Sequence, residues 1–206
     1  MSYRHFKNFI DAEETAKIVD WVSSLGFSIG QPNHHLDKLS KSLNGGIAMF
    51  DISKTELTSY ITEFQSISSV IQSEVPDFIY TIRDRISATL NIPTDNSFLQ
   101  AVDMSTGGTI QKHYDAASEG HINYKCNISV IAEPYDFCID QDTLNIQSSD
   151  LYCFEASLYK HWTPKPFTSR RILLSFGFML PYHVLSRDLE DPRVRLSNRI
   201  ARYFQK

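Results

Sequence analysis

Apolar positions in the N-terminal half of the chain repeat with the period of an amphipathic α-helix in three stretches. The first opens on Asp11 and Glu14, whose spacing is that of a capping box, and ends at Gly26. The second covers residues 54–72, and the third begins at Pro76 and continues to residue 90. These patterns predict helices that pack their apolar faces on a sheet.

From residue 98 onwards the apolar period changes to two, which is typical of β-strands. Eight short strands are predicted, at residues 98–104, 109–113, 124–132, 135–139, 143–147, 151–154, 159–162 and 171–178. A short alternating run at residues 4–10 predicts a further edge strand. Helices followed by a late block of strands predict an α+β fold with a mainly β core: a sandwich or jelly roll with the N-terminal helices packed on one sheet.

Two polar segments lie outside this pattern. Residues 28–46 predict a loop, because they contain Pro32, Asn33 and two adjacent glycines. A loop of this length either borders a functional site as a lid or is a solvated excursion, and both interpretations stay open. The tail at residues 181–206 predicts a C-terminal helix with one apolar and one basic face; a docked helix is favoured, and partner binding is the alternative.

The length of 206 residues fits one domain, with a helical part at 1–97, a β core at 98–180 and a tail at 181–206. A net charge of −4 gives no reason to expect nucleic acid as a partner. The sequence shows neither a membrane-spanning apolar run nor a secretory signal, so a cytoplasmic protein is expected. Cys126, Cys138 and Cys153 have no metal-binding spacing and are predicted to be reduced core residues.

The candidate chemistry lies in the β block, where residues 107–115 end in His113-x-Asp115. Residues two apart in a strand point to one face, so this imidazole and this carboxylate are expected to converge. His161 follows another predicted strand and a turn. Two histidines and one carboxylate are the set that holds non-haem Fe(II) and leaves coordination positions open. The pattern therefore predicts an iron site; the alternative is a chance alignment in which His161 is a core residue.

Two adjacent arginines, Arg170 and Arg171, precede an apolar strand. An arginine at the mouth of a buried strand needs an anionic partner, and a dicarboxylate would supply one. Arg171 shares its strand face with Ser175 and Gly177, whereas the face of Arg170 is apolar. Arg171 is therefore favoured as the anion-binding residue, Arg170 is the second choice, and the Ser175 hydroxyl is expected to add a hydrogen bond.

The segment from about residue 98 to residue 178 resembles the Fe(II)/2-oxoglutarate-dependent dioxygenases, especially their small prolyl-hydroxylase-like members. That family has a glycine turn, a His-x-Asp pair, a long gap, a second histidine and then an arginine. The matching residues here are Gly107, His113, Asp115, His161, and Arg170 or Arg171. The resemblance implies a double-stranded β-helix, Fe(II) held by the two histidines and Asp115, and 2-oxoglutarate as cosubstrate.

The resemblance also implies a reaction, in which molecular oxygen and 2-oxoglutarate are consumed and the substrate is oxidised. Asp115 favours hydroxylation, since halogenating relatives carry Gly or Ala at that place. Family members often contact 2-oxoglutarate through a tyrosine at the position of Met104, so this contact must come from elsewhere. Asn127, in the polar row of its predicted strand, is a further candidate for that role.

The departures from the family pattern bear on the substrate. Val102 and Gly177 stand where base-demethylating relatives carry an asparagine and a second arginine (Phe176, if Arg170 sets the frame). The Gly-Gly-Glu segment of many peptidyl-prolyl hydroxylases is absent at residues 133–137, which favours a free amino acid or other small metabolite. The alternatives are a peptidyl, prolyl-type hydroxylase and a cupin-like metal protein that does not use 2-oxoglutarate.

Overall fold

The computed structural model describes residues 3–25, 45–53, 75–185 and 191–204. Their strands are β1 (Arg4–Phe6), β2 (Gly45–Asp51), β3 (Ser97–Met104), β4 (His121–Ile131), β5 (Tyr135–Ile139), β6 (Asp142–Ile146), β7 (Leu151–Glu155), β8 (His161–Trp162) and β9 (Arg171–Pro181). Their α-helices are α1 (Ala12–Ser24), α2 (Asp77–Leu90) and α3 (Pro192–Phe204), and a 3₁₀ helix covers Tyr182–Leu185.

The strands form two antiparallel sheets. The larger has the order β1-β7-β4-β9-β3-β2 and the smaller the order β6-β5-β8. Apolar side chains of β5 and β6 pack against Tyr152 and Phe154 of the larger sheet, so the two sheets form a sandwich. This is the predicted α+β architecture, with a jelly-roll core and helices on one sheet.

The two N-terminal helices cover the opposite face of the larger sheet. Asp11 caps α1 as predicted: its Oδ1 accepts from the Glu14 amide at 2.8 Å, and its own amide donates to the Glu14 carboxylate at 3.2 Å. Apolar residues of α1 and α2 form one buried cluster with Leu174 and Phe176 of β9. The even-numbered positions of β9 are therefore core, which leaves Arg171 and Ser175 on the face towards the smaller sheet.

The prediction of a strand at residues 109–113 is wrong. Only His113 makes an isolated bridge, to His161, within an irregular loop between β3 and β4. This loop pairs with another loop: the Gly107 amide donates to the Phe167 carbonyl at 2.8 Å, and the Ile110 amide to the Thr163 hydroxyl at 2.9 Å. Gly107, which precedes the predicted strand, has φ +88°, a left-handed conformation that turns the chain after β3.

The other predicted elements differ from the structure mainly at their ends. The strand predicted at 124–132 begins at His121, and α1 ends at Ser24, before the expected Gly26. The predicted helix at 54–72 and nearly all of the predicted loop at 28–46 lie outside the described residues. All three cysteines are buried and free, as predicted. No helix in the described part of the chain is long and apolar enough to cross a membrane.

The C-terminal helix α3 is docked on the sandwich. Val194 and Ala201 are buried, and the Tyr182 hydroxyl donates to the Asn198 side chain at 2.7 Å. Leu196, an apolar residue of the same helix, is 39% exposed.

Gly177 is required by the packing on the cavity face of β9. It lies between Phe98 of β3 and Lys125 of β4, and a Cβ at this position would overlap the Phe98 ring. We expect Gly177→Ala to lower the free energy of unfolding by about 1–3 kcal/mol, as overpacking of a tight contact does. Urea denaturation measures this, and adding Phe98→Leu should restore part of the loss. An unchanged midpoint in the single variant would contradict the packing argument.

Candidate metal centre

Backbone pairing brings the three predicted metal ligands together. The His113 amide donates to the His161 carbonyl at 3.3 Å, and the His161 amide donates back at 3.0 Å. The Asp115 amide donates to the Ala156 carbonyl at 3.0 Å, which fixes the next turn of the loop. The two residues of the His-x-Asp pair thus face His161 although they are not in a strand.

The side chains converge on one point. The Nε2 atoms of His113 and His161 lie 3.2 Å and 3.8 Å from Asp115 Oδ1. One candidate ligand atom from each of the three residues lies within 4.8 Å of the others. The Nδ1 atoms face the backbone carbonyls of Gln111 and Tyr159 at 2.6 Å and 3.2 Å. A proton on each Nδ1 would leave the Nε2 lone pairs directed at a metal ion.

Lys125 holds the other carboxylate oxygen of Asp115. Its Nζ lies 3.1 Å from Oδ2 and donates to the Gln100 side-chain oxygen at 2.5 Å. Burial would raise the pKa of Asp115, but the Lys125 ammonium and the His113 ring outweigh it and hold that pKa well below its usual range. The carboxylate is therefore ionised at neutral pH, with Oδ1 directed at the histidines.

The two imidazoles have different proton affinities. Burial lowers the pKa of His161 to about 4, although Asp115 opposes the shift. Burial acts in the same direction on His113, but its hydrogen bond and charge interaction with Asp115 outweigh it, so the pKa of His113 is raised. In the metal-free protein His161 is neutral over the physiological range, and His113 is the first of the two to be protonated as the pH falls.

This difference predicts how metal binding depends on pH. A proton and a metal ion compete for the same imidazole lone pair, so affinity falls as pH decreases through the raised pKa of His113, by roughly tenfold per unit. Protonation of His161 lowers the metal affinity further only when the pH approaches its pKa of about 4. Calorimetric titration with Mn(II) over about pH 5 to 8 measures the slope. An affinity that stays constant across this range would contradict the assignment of His113 as a ligand.

Arg171 lies on the cavity face of β9 and is fully buried. Its Nη2 donates to the hydroxyls of Tyr135 and Tyr152 at 2.8 Å and 3.1 Å, and the ring of Phe167 stacks on the guanidinium. Within the described ranges it has no acidic partner, and its Nε has no hydrogen-bond partner. A buried guanidinium without a counter-ion is a site where an anion is expected.

Arg170 is placed differently. It is half-exposed and forms a two-point ion pair with Asp103, with N···O distances of 3.0 Å and 2.7 Å. Its charge is thus already compensated at the surface. The two arginines are neighbours in sequence, and the alternation of β9 puts them in opposite environments.

A cavity of about 120 Å³ connects the ligand cluster with Arg171. Asn127 and Ser175 lie opposite each other on β4 and β9 and line this cavity. Both are buried, and Asn127 Oδ1 has no partner among the described residues. The structure thus brings His113, Asp115, His161, Arg171, Asn127 and Ser175 around one cavity and leaves Arg170 outside it. Their binding roles stay predictions.

Four residues of this site are not predicted from the sequence. Tyr135 and Tyr152 supply the phenols beside Arg171, near the position of Met104 where the family tyrosine is absent. Lys125 pairs with Asp115 Oδ2, and Gln100 accepts a hydrogen bond from Lys125. The polar row of β4 included Lys125, and a lysine within an apolar strand was the available signal. Tyr135 and Tyr152 carry no such signal, because a tyrosine in a strand is ordinary.

No family model matches the chain, and no curated protein is significantly similar to it in sequence. Solved structures of prolyl hydroxylases do match its fold. The viral collagen prolyl hydroxylase of Paramecium Bursaria Chlorella virus-1, in its 2OG complex, aligns over 86% of this chain and 95% of its own, with a TM-score of 0.57 and 11% identity. A Trichoplax adhaerens prolyl hydroxylase bound to a hypoxia inducible factor peptide fragment aligns over 90% and 87%, with a TM-score of 0.58 and 13% identity. The chain has a prolyl-hydroxylase-like fold, as the resemblance predicted.

Proposed function

We propose that this protein is an Fe(II)- and 2-oxoglutarate-dependent oxygenase that hydroxylates its substrate. The observation that carries the proposal is one cavity with two kinds of binding group. At one place two imidazoles converge on an ionised carboxylate, and at another a buried arginine lacks an acidic partner among the described residues. The first group fits a divalent metal ion, and the second fits a carboxylate.

The donor set fits Fe(II). His113, Asp115 and His161 would hold the metal from one side, and three protein ligands leave positions for a cosubstrate and for oxygen. The carbonyls of Gln111 and Tyr159 orient the imidazoles, as outer partners of metal-bound histidines do. When bound, the iron and 2-oxoglutarate supply the oxygen activation, with decarboxylation of 2-oxoglutarate to succinate.

The other end of the cavity fits the distal carboxylate of 2-oxoglutarate. Arg171 would bind it through its planar guanidinium, and the Nε–H without a partner is one donor available for this contact. Tyr135 and Tyr152 fix the orientation of that guanidinium through Nη2. Asn127 and Ser175 lie on the cavity wall, where they would hydrogen-bond the cosubstrate.

For the substrate we favour a free amino acid or another small metabolite over a peptide. The absence of Gly-Gly-Glu at residues 133–137 supports this choice. A peptidyl substrate is the second candidate, because the Trichoplax adhaerens prolyl hydroxylase of similar fold was solved with a peptide fragment.

Succinate formation tests the proposal. Purified protein with Fe(II) and 2-oxoglutarate should release succinate when incubated with pools of free amino acids, other metabolites or peptides, and the hydroxylated product should gain the mass of one oxygen atom. Asp115→Ala protein should show neither. The proposal is overturned if the Mn(II)-loaded protein fails to bind 2-oxoglutarate in calorimetry. Metal binding without 2-oxoglutarate binding would instead support the cupin-like alternative.

A further inference from the structure

A larger groove of about 520 Å³ adjoins the metal cavity. Gln100, Asp115 and Lys125 line both spaces, so these side chains form the boundary between them. The groove is also lined by residues of β2, the loop that follows Asp115, and α3. A molecule in this groove lies beside a proposed iron ligand, which is where a substrate has to lie for oxidation.

Asn123 lines this groove and carries a buried hydrogen-bond acceptor without a described partner. It is only 3% exposed, and its Nδ2 donates to the Ala116 carbonyl at 3.0 Å. That bond fixes which side-chain atom is the oxygen, and Oδ1 has no partner among the described residues. A buried amide oxygen without a donor is unfavourable, so a ligand that donates a hydrogen bond here would be favoured.

Lys125 presents a cationic donor in the same groove. An ammonium has three N–H donors. Lys125 donates one to the Gln100 side-chain oxygen and forms an ion pair with Asp115 Oδ2 at 3.1 Å. At least one donor therefore remains for a ligand. The Phe98 ring, whose centroid lies 5.6 Å from Nζ, lines the groove beside it and offers an apolar contact.

The spacing of these two groups defines the ligand. Asn123 and Lys125 are two residues apart on β4, so they project from the same face with Cα atoms about 6.6 Å apart. An acceptor and a cationic donor at this separation complement an ammonium and a carboxylate that are attached to the same carbon atom. We propose that the groove binds a free α-amino acid as its zwitterion, with the carboxylate on Lys125 and the ammonium on Asn123 Oδ1.

This inference rests on the proposed function and names the substrate class of the same site. An internal residue of a peptide has neither charge, so it would leave the third donor of Lys125 without an anionic acceptor. A dicarboxylate has no donor for Asn123. Asp51 is an acidic residue that also lines the groove. It lies on β2, separated from β4 by β3 and β9, and its Oδ1 already accepts hydrogen bonds from the amide and hydroxyl of Ser53. We therefore assign the ligand's ammonium to Asn123 and not to Asp51.

The test is a binding experiment on protein saturated with Mn(II) and 2-oxoglutarate in the absence of oxygen. Free L-amino acids are screened by thermal shift. The amino acid that binds best is then compared by calorimetry with its carboxamide, its N-acetyl derivative and a peptide containing it at an internal position. Each of these three ligands is expected to bind at least tenfold more weakly than the free amino acid.

Two variants assign the contacts. Lys125→Met should remove the preference for the acid over the carboxamide, and Asn123→Leu should remove the preference for the free amine over the N-acetyl form. Lys17→Met, on the exposed face of α1, is the matched control and should keep both preferences. If a variant fails to fold, the ligand comparison in the unaltered protein decides.

The outcomes separate the two proposals. Protein that binds Mn(II) and 2-oxoglutarate but binds no free amino acid, or binds the carboxamide and N-acetyl forms equally well, overturns the zwitterion site and leaves the oxygenase intact. Protein that binds no 2-oxoglutarate overturns the proposed function, and this inference with it. The assigned contacts are supported if Lys125→Met loses the preference for the acid and Asn123→Leu loses the preference for the free amine.

Discussion

Alanine at position 113, 115 or 161 is expected to abolish Fe(II)-dependent turnover of 2-oxoglutarate. Each of His113, Asp115 and His161 supplies one candidate ligand atom, all within 4.8 Å of one another. Loss of an outer partner of a metal ligand already costs roughly 10–100-fold in affinity, so loss of a ligand itself should cost more than about 100-fold. Mn(II) titration by calorimetry measures the affinity, and succinate formation measures turnover.

His121→Ala is the matched control, because this histidine lies outside the cluster and its Nδ1 faces the Glu119 carbonyl. It should keep both metal binding and turnover. Removing the buried His161 ring, which packs 4.8 Å from Phe154 between centroids, also costs some stability, so circular dichroism must show that each variant is folded. A folded ligand variant with unchanged Mn(II) affinity would disprove the assignment. So would a structure with these side chains more than about 3 Å from a common metal position.

Arg171→Ala is expected to raise the concentration of 2-oxoglutarate needed for half-maximal turnover by at least about tenfold, which corresponds to ~1.4 kcal/mol. Arg171 is fully buried and lacks an acidic partner in the described ranges, so the cosubstrate carboxylate would be its main counter-ion. Arg171→Lys should be only partly active, because an ammonium cannot reproduce the planar two-point contact. Calorimetry with the Mn(II)-loaded variants measures the same loss as direct binding of 2-oxoglutarate.

Arg170→Ala distinguishes the two neighbours. Arg170 pairs with Asp103 at the surface, so its removal should leave the 2-oxoglutarate requirement unchanged and cost about 0–1 kcal/mol of stability. If Arg170→Ala weakens 2-oxoglutarate binding and Arg171→Ala does not, the strand phase assigned here is off by one residue. Arg171→Met adds a second control, since replacing an unpaired buried charge by an apolar side chain should not greatly destabilise the metal-free protein.

The local pattern of the sequence was sufficient for much of the fold. The capping box of Asp11 and Glu14 predicted the start of α1, and the period-two block predicted all the strands from β3 to β9 apart from errors at their ends. These features depend on contacts within a few residues of chain, which is why periodicity and spacing reveal them. The alternation of β9 likewise predicted which of Arg170 and Arg171 lies on the same face as Ser175.

Long-range contacts decided the rest. The sequence assigned His113 to a strand, whereas a loop pairing with the residues around His161 aligns it with Asp115. The placement of Lys125 beside Asp115, and of Tyr135 and Tyr152 beside Arg171, depends on which strands become neighbours. Strand order and register join residues far apart in the chain, and no local pattern encodes those distances. The sequence alone therefore identified the candidate metal ligands, and the tertiary structure decided which charges surround them.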